Sequence, residues 1–245
     1  MLKKKWPYPQ WIAHRGAGLS APENTLAAFQ LGFDSGFTMF ECDAKLSADQ
    51  VVFLLHDATL DRTTNVQGSA HTYVWDELAV LDAGSWHSVP FTGATIPSLE
   101  QVANFCLENA CQLNIEIKPS PGFEFLTGQC VARKAQRLWE NQPIPPLLTS
   151  FKREALRGAQ AVAPELPRGL LMHELGADWQ VAVHDLQCIA VACHFPLYTE
   201  ALIDEIKRRD LYSLAYTVND LETGHTLLKM GVDSIITDTI EKTRA

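Results

Sequence analysis

Short apolar segments alternate along the chain with longer stretches in which apolar residues recur at helical spacing. Eight short segments predict strands over 11–14, 38–43, 112–117, 147–150, 168–172, 188–193, 212–217 and 234–237. The longer stretches predict helices over about 24–35, 98–110, 123–140, 152–162, 178–186, 199–210, 220–230 and 238–244. This alternation predicts a (β/α)8 barrel of the TIM type. A doubly wound open sheet is disfavoured because it usually has fewer strands and a G-x-G-x-x-G turn, which the sequence lacks.

The segment after the second predicted strand breaks the alternation. Seven residues separate the end of that strand from the apolar run VVFLLHD at 51–57. A crossover helix needs at least about 10–12 residues, whereas an antiparallel pair needs only a turn. We therefore predict a β-hairpin over 41–56 that turns around 47–50, and in this register Glu41 lies opposite His56.

The segment 58–97 carries turn-forming and polar residues around short apolar patches. It predicts a loop-rich insertion between the second strand and its helix, above the C-terminal mouth of the barrel. The length of 245 residues suits one α/β barrel, which typically has about 250. We therefore expect residues 1–245 to form a single domain with this small inserted subdomain.

Composition and charge narrow the functional classes. Apolar residues make up 47% and charged residues 20%, which is typical of a globular domain. The net charge of −9 disfavours a nucleic-acid-binding protein. The six cysteines form no C-x-x-C pair, which favours buried thiols in a reducing compartment. Neither a signal peptide nor an apolar stretch of about 18 residues is recognisable, so we expect a cytoplasmic protein without stable membrane insertion.

Ionisable residues cluster at the C-terminal ends of the predicted strands, which face the active site in a TIM-type barrel. The first three strands and the hairpin bring seven of them to this face: His14, Arg15, Glu41, Asp43, His56, Glu116 and Lys118. Glu41 and Asp43 are two residues apart on one strand, so their side chains point the same way. Three converging carboxylates repel one another unless a cation lies among them. Ligation by oxygen atoms alone favours Mg²⁺ or Ca²⁺ over zinc.

Two histidines beside these carboxylates suggest a general acid and a general base working across a phosphoryl centre. Arg15 can bind a phosphate in bidentate fashion, and Lys118 can do so as a point charge. These groups favour phosphodiester cleavage over sugar isomerisation. They also disfavour glycoside hydrolysis, which needs two carboxylates and no such cationic pair.

Several motifs occur in a distinctive order along the chain. They are H-R-G at 14–16, P-E-N-T at 22–25, E-x-D at 41–43, H-D at 56–57, T-L-D-R-T-T at 59–64, E-I-K-P at 116–119, T-S-F at 149–151, Y-T-V-N at 216–219 and G-V-D-S-I-I-T-D at 231–238. No single motif is specific, but the set covers nearly the whole chain. In combination these motifs resemble the glycerophosphodiester phosphodiesterase family.

The resemblance implies metal-dependent hydrolysis of a small-molecule glycerophosphodiester to sn-glycerol 3-phosphate and an alcohol. It implies that the acid–base pair consists of His14 and His56. It implies that one divalent cation, Mg²⁺ or Ca²⁺, is ligated by Glu41, Asp43 and Glu116. The positions that contact phosphate in the family are matched by Arg15 and Lys118. Many members have tryptophan before T-V-N, and an aromatic wall for the glycerol end is retained here by Tyr216.

Structural roles compete with functional roles at several other positions. Glu23 and Asn24 lie where a helix is predicted to start, and we expect Asn24 to cap it. Asp57 either orients His56 or caps the backbone locally. Asp238 follows the last predicted strand, where it would serve equally well as the N-cap of the final helix.

Two alternative functions remain open. One is a phospholipase of the same superfamily that acts on lysophospholipids or sphingomyelin, for which we would expect an apolar rim or an export signal. The other is a non-catalytic barrel that binds a phosphodiester, although a binding protein needs no acid–base pair. The sequence leaves open the head group, the choice of cation, which histidine is the acid, the nucleophile and the oligomeric state.

Overall fold

Eight parallel strands close into a barrel in the computed structural model of the protein, which describes residues 5–241. In chain order the strands are β1 (Trp11–Ala13), β2 (Met39–Leu46), β3 (Val52–Leu54), β4 (Gln112–Ile117), β5 (Leu147–Ser150), β6 (Arg168–Met172), β7 (Ala190–His194), β8 (Tyr212–Tyr216) and β9 (Ser234–Thr237). β1 closes the ring by pairing with both β2 and β9. β3 lies outside the ring because it runs antiparallel to the far end of β2. The predicted (β/α)8 barrel is therefore confirmed.

The barrel strands are buried on both faces, as expected for parallel strands covered by helices. Every residue of β5, β6 and β9 is buried. The predicted bounds agree with the structure for these three strands and for β4. β1 and β8 each end one residue earlier than predicted, and β7 lies one to two residues later.

The hairpin between β2 and β3 forms as predicted, but its register differs by one residue. β2 continues beyond the predicted strand to Leu46, which pairs with Val52. The connecting backbone includes Gln50 in the left-handed region, at φ 64°. Glycine or asparagine usually occupies such a conformation, so a glutamine at this position did not indicate the turn. The predicted pairing of Glu41 with His56 is therefore wrong by one position.

The helices lie between the barrel strands, except for one short helix in the insertion. They are α1 (Leu26–Asp34), α2 (Trp75–Leu78), α3 (Leu99–Glu108), α4 (Glu124–Leu138), α5 (Arg153–Val162), α6 (Trp179–Asp185), α7 (Glu200–Arg208) and α8 (Leu221–Met230). At the start of α3, Ser98 and Gln101 form the predicted capping box. Within residues 5–241, none of these helices is both long and apolar enough to cross a membrane.

The final helix predicted over 238–244 is absent from residues 238–241, and the rest of that range lies outside the described residues. The Asp238 carboxylate contacts His14 and Asn219 and so is not free to cap a helix. Ile240 is buried against the main core. Residues 238–241 therefore pack against the barrel without forming a helix.

Residues 58–97 connect β3 to α3 and surround a small apolar core. This core contains Phe53 from β3 together with Leu60, Leu78 and Ile96. The connection also carries α2 and two short 3-10 turns. Contacts from this segment to the loop after β1 bring it beside the C-terminal ends of the strands.

Candidate active site

His14 follows β1 directly, and contacts to β9 fix its position. Its backbone N–H donates to the Thr237 carbonyl at 2.9 Å, and its ring Nδ1 lies 2.6 Å from Asp238 Oδ1. A carboxylate can only accept, so Nδ1 carries the proton and Nε2 faces Glu41 Oε2 at 3.6 Å. Burial lowers the pKa of His14, but the Asp238 hydrogen bond and the Glu41 charge outweigh it, so the pKa is raised.

The loop after His14 can adopt its path because of two glycines. Arg15, Gly16 and Gly18 all have positive φ, at 53°, 98° and 54°. A Cβ on Gly18 would lie 2.1 Å from the Asp238 carbonyl oxygen, so only glycine allows this close approach. The resulting turn directs the Arg15 backbone N–H toward Glu41 Oε2 at 3.1 Å. The H-R-G motif therefore places a ring, a cation and a backbone donor around one carboxylate.

Glu41, Asp43 and Glu116 form a cluster of buried carboxylates on the neighbouring strands β2 and β4. Asp43 and Glu116 are register partners, and one oxygen from each of the three residues lies within 4.8 Å of the others. Glu41 Oε1 and Asp43 Oδ1 are buried and accept no hydrogen bond from any group in the described part of the chain. Buried polar atoms without partners are costly. The donor set and its two incompletely satisfied oxygens therefore fit a hard divalent cation.

The three carboxylates differ in their electrostatic surroundings. Burial and the charge of Asp43 raise the pKa of Glu41 to about 8. Burial also raises the pKa of Glu116. Burial acts in the same direction on Asp43, but the charges of Arg15 and Lys118 outweigh it, and the pKa of Asp43 falls well below its usual range. The protein therefore stabilises the three negative charges unequally: two cations favour the charge of Asp43, whereas the charges of Glu41 and Glu116 are disfavoured.

Asn24 holds Asp43 with both ends of its amide, and its role differs from the predicted helix cap. Asn24 Nδ2 donates to Asp43 Oδ2 at 2.8 Å, and the Asp43 N–H donates to Asn24 Oδ1 at 3.1 Å. The cap of α1 is Thr25, which accepts from the Ala28 N–H. The expectation that Asn24 caps the helix is therefore wrong, because its left-handed backbone, at φ 58°, turns its side chain into the barrel.

Arg15 and Lys118 bring two cations to this cluster. Arg15 Nε lies 3.2 Å from Asp43 Oδ2. Lys118 Nζ lies 2.9 Å from Glu116 Oε1 and 3.4 Å from Asp43 Oδ1. Buried Lys45, which the sequence analysis did not single out, donates from Nζ to the Lys118 carbonyl at 3.0 Å. Both site cations are partly exposed, so each retains a face toward the mouth of the barrel.

His56 follows β3 and has the same tether as His14. Its Nδ1 lies 2.6 Å from Asp57 Oδ1, and Asp57 Oδ2 accepts from Arg62 Nε at 2.7 Å. The Arg62 hydrogen bond is the main cause that lowers the pKa of Asp57 to about 2. Burial lowers the pKa of His56, and Arg15 adds to this effect against the opposing charge of Asp43. Of the two roles considered for Asp57, the structure therefore favours orienting the His56 ring.

Tyr216 ends β8 on the opposite side of the mouth. Its ring meets Phe151 edge to face, with the centroids 5.8 Å apart, and lies 6.2 Å from the His194 ring. His194 in turn stacks on His173 at 4.5 Å. Lys118 Nζ lies 5.8 Å from the centre of the Phe151 ring. An aromatic wall therefore begins beside the cluster of carboxylates and cations and continues across the mouth.

Comparison with known proteins agrees with this geometry. A family model, the glycerophosphoryl diester phosphodiesterase family, matches residues 14–242. A glycerophosphodiester phosphodiesterase of Caldanaerobacter subterraneus subsp. tengcongensis is 33% identical over 235 residues, which are 93% of each chain. A solved phosphodiesterase from Oleispira antarctica, in complex with the product sn-glycerol-3-phosphate, has a TM-score of 0.89 at 33% identity over 96% of this chain and 95% of its own. A glycerophosphodiester phosphodiesterase from Agrobacterium tumefaciens has a TM-score of 0.80 at 27% identity, with coverage of 95% and 97%.

The chain is thus an enzyme of the phosphodiesterase class built on a TIM-type barrel. It belongs to the glycerophosphoryl diester phosphodiesterase family, which confirms the resemblance seen in the sequence motifs.

Proposed function

We propose that this enzyme hydrolyses glycerophosphodiesters to sn-glycerol 3-phosphate and an alcohol, with a divalent cation held by Glu41, Asp43 and Glu116. The observation that carries the proposal is the pairing of an incompletely satisfied carboxylate cluster with two similarly tethered histidines. The product bound to the Oleispira relative supports the same choice of substrate. The cation, Mg²⁺ or Ca²⁺, would polarise the phosphate and offset the charge that develops during cleavage.

The cationic side chains bind and orient the phosphate in this proposal. Arg15 presents a planar fork suited to two phosphate oxygens, and Lys118, which follows β4, adds a point charge. Both are held by buried carboxylates, so little side-chain freedom is lost when substrate binds. Their placement fixes the phosphorus relative to the two imidazoles.

The two histidines move the protons. Each Nδ1 is committed to a carboxylate, so each Nε2 is the ring atom left for the reaction. One imidazole removes a proton from the nucleophile, and the other gives a proton to the leaving alkoxide. Asp238 and Asp57 hold the tautomers and orientations that this exchange requires.

The first test is release of sn-glycerol 3-phosphate from glycerophosphocholine by the purified protein, coupled to its dehydrogenase. The assay is run with EDTA and then with Mg²⁺ or Ca²⁺ restored. We expect EDTA to abolish release and one cation to restore it. Absence of release with every cation and several head groups would contradict the proposal.

A lysophospholipid substrate is a second candidate, and one observation favours it. Leu19, in the loop that follows His14, is 76% exposed, and Val89 in the insertion is 84% exposed. His87 lies 3.1 Å from the Leu19 carbonyl and brings these two segments together. An exposed apolar rim beside a site suits an acyl chain. Choline release from lysophosphatidylcholine, compared with glycerophosphocholine, distinguishes the two substrates.

A further inference from the structure

Arg62, in the first turn of the insertion, forms a bridge that the mechanism above does not use. Its Nε donates to Asp57 Oδ2 at 2.7 Å. Its two terminal nitrogens donate to the two oxygens of Glu23, at 2.7 and 2.8 Å. One guanidinium therefore joins two carboxylates that lie in different loops, one after β3 and one before α1.

Each of these carboxylates holds a residue of the candidate site by its other contacts. Asp57 Oδ1 lies 2.6 Å from the ring Nδ1 of His56. Glu23 Oε1 accepts from a terminal nitrogen of Arg15 at 3.0 Å. Charges alternate in sign from Asp57 through Arg62 and Glu23 to Arg15, so each of these links is attractive. Arg62 thus connects the His56 imidazole, through Asp57, with the Arg15 guanidinium, through Glu23.

We propose that Arg62 is a positioning residue that fixes the His56 ring relative to the phosphate held by Arg15. This inference rests on the proposed function of the site. Arg62 acts through Asp57 and Glu23, because its three hydrogen bonds within residues 5–241 all go to those two carboxylates. Its loss should therefore slow the reaction of bound substrate more than it weakens substrate binding.

The chemistry of the bridge requires arginine rather than any cation. The guanidinium is planar and presents donors on two edges, so it can pair with one carboxylate in bidentate fashion and with another through Nε. A lysine ammonium is a point charge and cannot hold both partners in fixed directions. Stability alone is a weak reason for such a bridge, because exposed ion pairs usually contribute little, and the Arg62 side chain is 44% exposed.

The test compares Arg62→Met and Arg62→Lys with the wild-type enzyme in the glycerophosphodiester assay. We expect kcat to fall by about 10–100-fold in both variants, because small misplacements of reacting groups cost up to about 100-fold. We expect KM to change by less than about 3-fold, since Arg15 and Lys118 remain. Glu23→Gln combined with Arg62→Met should lose little more than Arg62→Met alone, because residues of one network are not additive.

Arg209→Met is the matched control. Arg209 at the end of α7 is 42% exposed and contacts a single carboxylate, that of Glu205, away from the site. The Arg209→Met substitution therefore removes an arginine ion pair of similar exposure and leaves the Arg62 bridge intact. The kcat of this variant should equal that of the wild type. Thermal unfolding of all variants reports any loss of folded protein.

A second readout does not depend on turnover. The proton on His56 Nδ1, hydrogen-bonded to Asp57, gives a downfield imidazole signal in the proton spectrum. We expect Arg62→Met and Arg62→Lys to shift or broaden this signal, and Arg209→Met to leave it unchanged. If the wild type releases no sn-glycerol 3-phosphate, the proposed function fails, whereas this spectrum still tests the positioning of His56.

The proposal would be overturned by a kcat of Arg62→Met within about 3-fold of wild type, by an unchanged imidazole signal, or by full recovery of kcat in Arg62→Lys. If Arg62→Met does not fold, Arg62→Lys decides, because it keeps the charge and most of the aliphatic stem. A loss that appears in KM with kcat unchanged would also refute a positioning role.

Discussion

The two ends of the barrel bury charge in opposite ways. At the N-terminal end, the fully buried Arg168 side chain donates from Nε to the Leu186 carbonyl at 3.0 Å. Its terminal nitrogen Nη1 donates to three further backbone carbonyls, those of Ala163, Pro164 and Leu166. At the C-terminal end, the carboxylate cluster keeps buried oxygens that no group in residues 5–241 satisfies by a hydrogen bond.

The difference separates a charge that the fold stabilises from carboxylates that fit the proposed cation site. Backbone carbonyls of the protein accept from Nε and Nη1 of Arg168, so the fold itself stabilises this charge. Burial of the carboxylates costs free energy that hydrogen bonds within residues 5–241 do not fully offset. This is typical of a site in which function is kept at the expense of stability. In TIM-type barrels the C-terminal end carries activity and the other end stability.

The double substitution His14→Ala with His56→Ala should have the largest effect on activity. General acid–base groups contribute about 100- to 10,000-fold each, so turnover should fall by at least about 10,000-fold. Cation binding, measured by calorimetry, should persist because the carboxylates remain. Wild-type turnover in this variant would refute the two-histidine mechanism.

Arg168→Met should damage stability and spare the chemistry. It leaves several buried carbonyls without a donor, at a cost of about 2–4 kcal/mol in the free energy of unfolding. Chemical denaturation measures this loss. The kcat per folded molecule should match the wild type, and a specific loss of kcat would mean that the two ends are coupled.

Glu41→Gln should have the opposite effect to Arg168→Met: it should spare the stability of the fold and impair cation binding. Glu41 is a carboxyl group whose ionisation is disfavoured by burial and by the charge of Asp43. Its replacement by a neutral amide should leave the cation-free protein at least as stable as the wild type, with a melting temperature higher by up to about 2–4 °C. The stabilisation that Mg²⁺ or Ca²⁺ gives to the wild type should largely disappear. A cation-dependent shift of wild-type size in Glu41→Gln would remove Glu41 from the proposed ligand set.

The pH dependence of stability in EDTA is the smallest predicted effect. The folded state raises the pKa values of Glu41 and His14, so it binds these protons more tightly than the unfolded chain does. Their contribution is fully present below the unfolded pKa and is lost as pH rises through the folded pKa. These two groups should therefore make stability without cation fall between about pH 5 and 8, against an opposite contribution from His56, whose pKa the fold lowers. The fall should weaken in Glu41→Gln. A flat profile would show that the cluster carries no such proton.

The strand order and the chemistry at the strand ends could be predicted from the sequence, because both depend on local patterns. Glu41 and Asp43 share one face by the alternation of a strand alone. The hairpin register could not be predicted, since it depends on the left-handed backbone at Gln50, which carries no glycine signal. The prediction of the final helix was wrong because the Asp238 carboxylate, instead of capping a helix, contacts the His14 ring, which is 224 residues away in the chain.

The contacts of three residues with the candidate site were not predicted from the sequence, and the reason is the same for all three. Asp238, Asn24 and Arg62 each act on a residue that is distant along the chain, so their local surroundings suggest only caps and turns. A signal was available for Asp238, because β9 neighbours β1 in a closed barrel and their C-terminal ends must meet. For Arg62 the T-L-D-R-T-T motif marked the segment without indicating its partners.

The closure of the ring between β1 and β9 also sets the order in which the enzyme becomes competent. The carboxylate cluster and both cations lie within the first half of the chain, but the group that orients His14 follows the last strand. A growing polypeptide on the ribosome therefore carries most of the site long before it can hold that ring in place. The proton transfer proposed for His14 therefore requires that β9 and Asp238 have been synthesised and have docked beside β1.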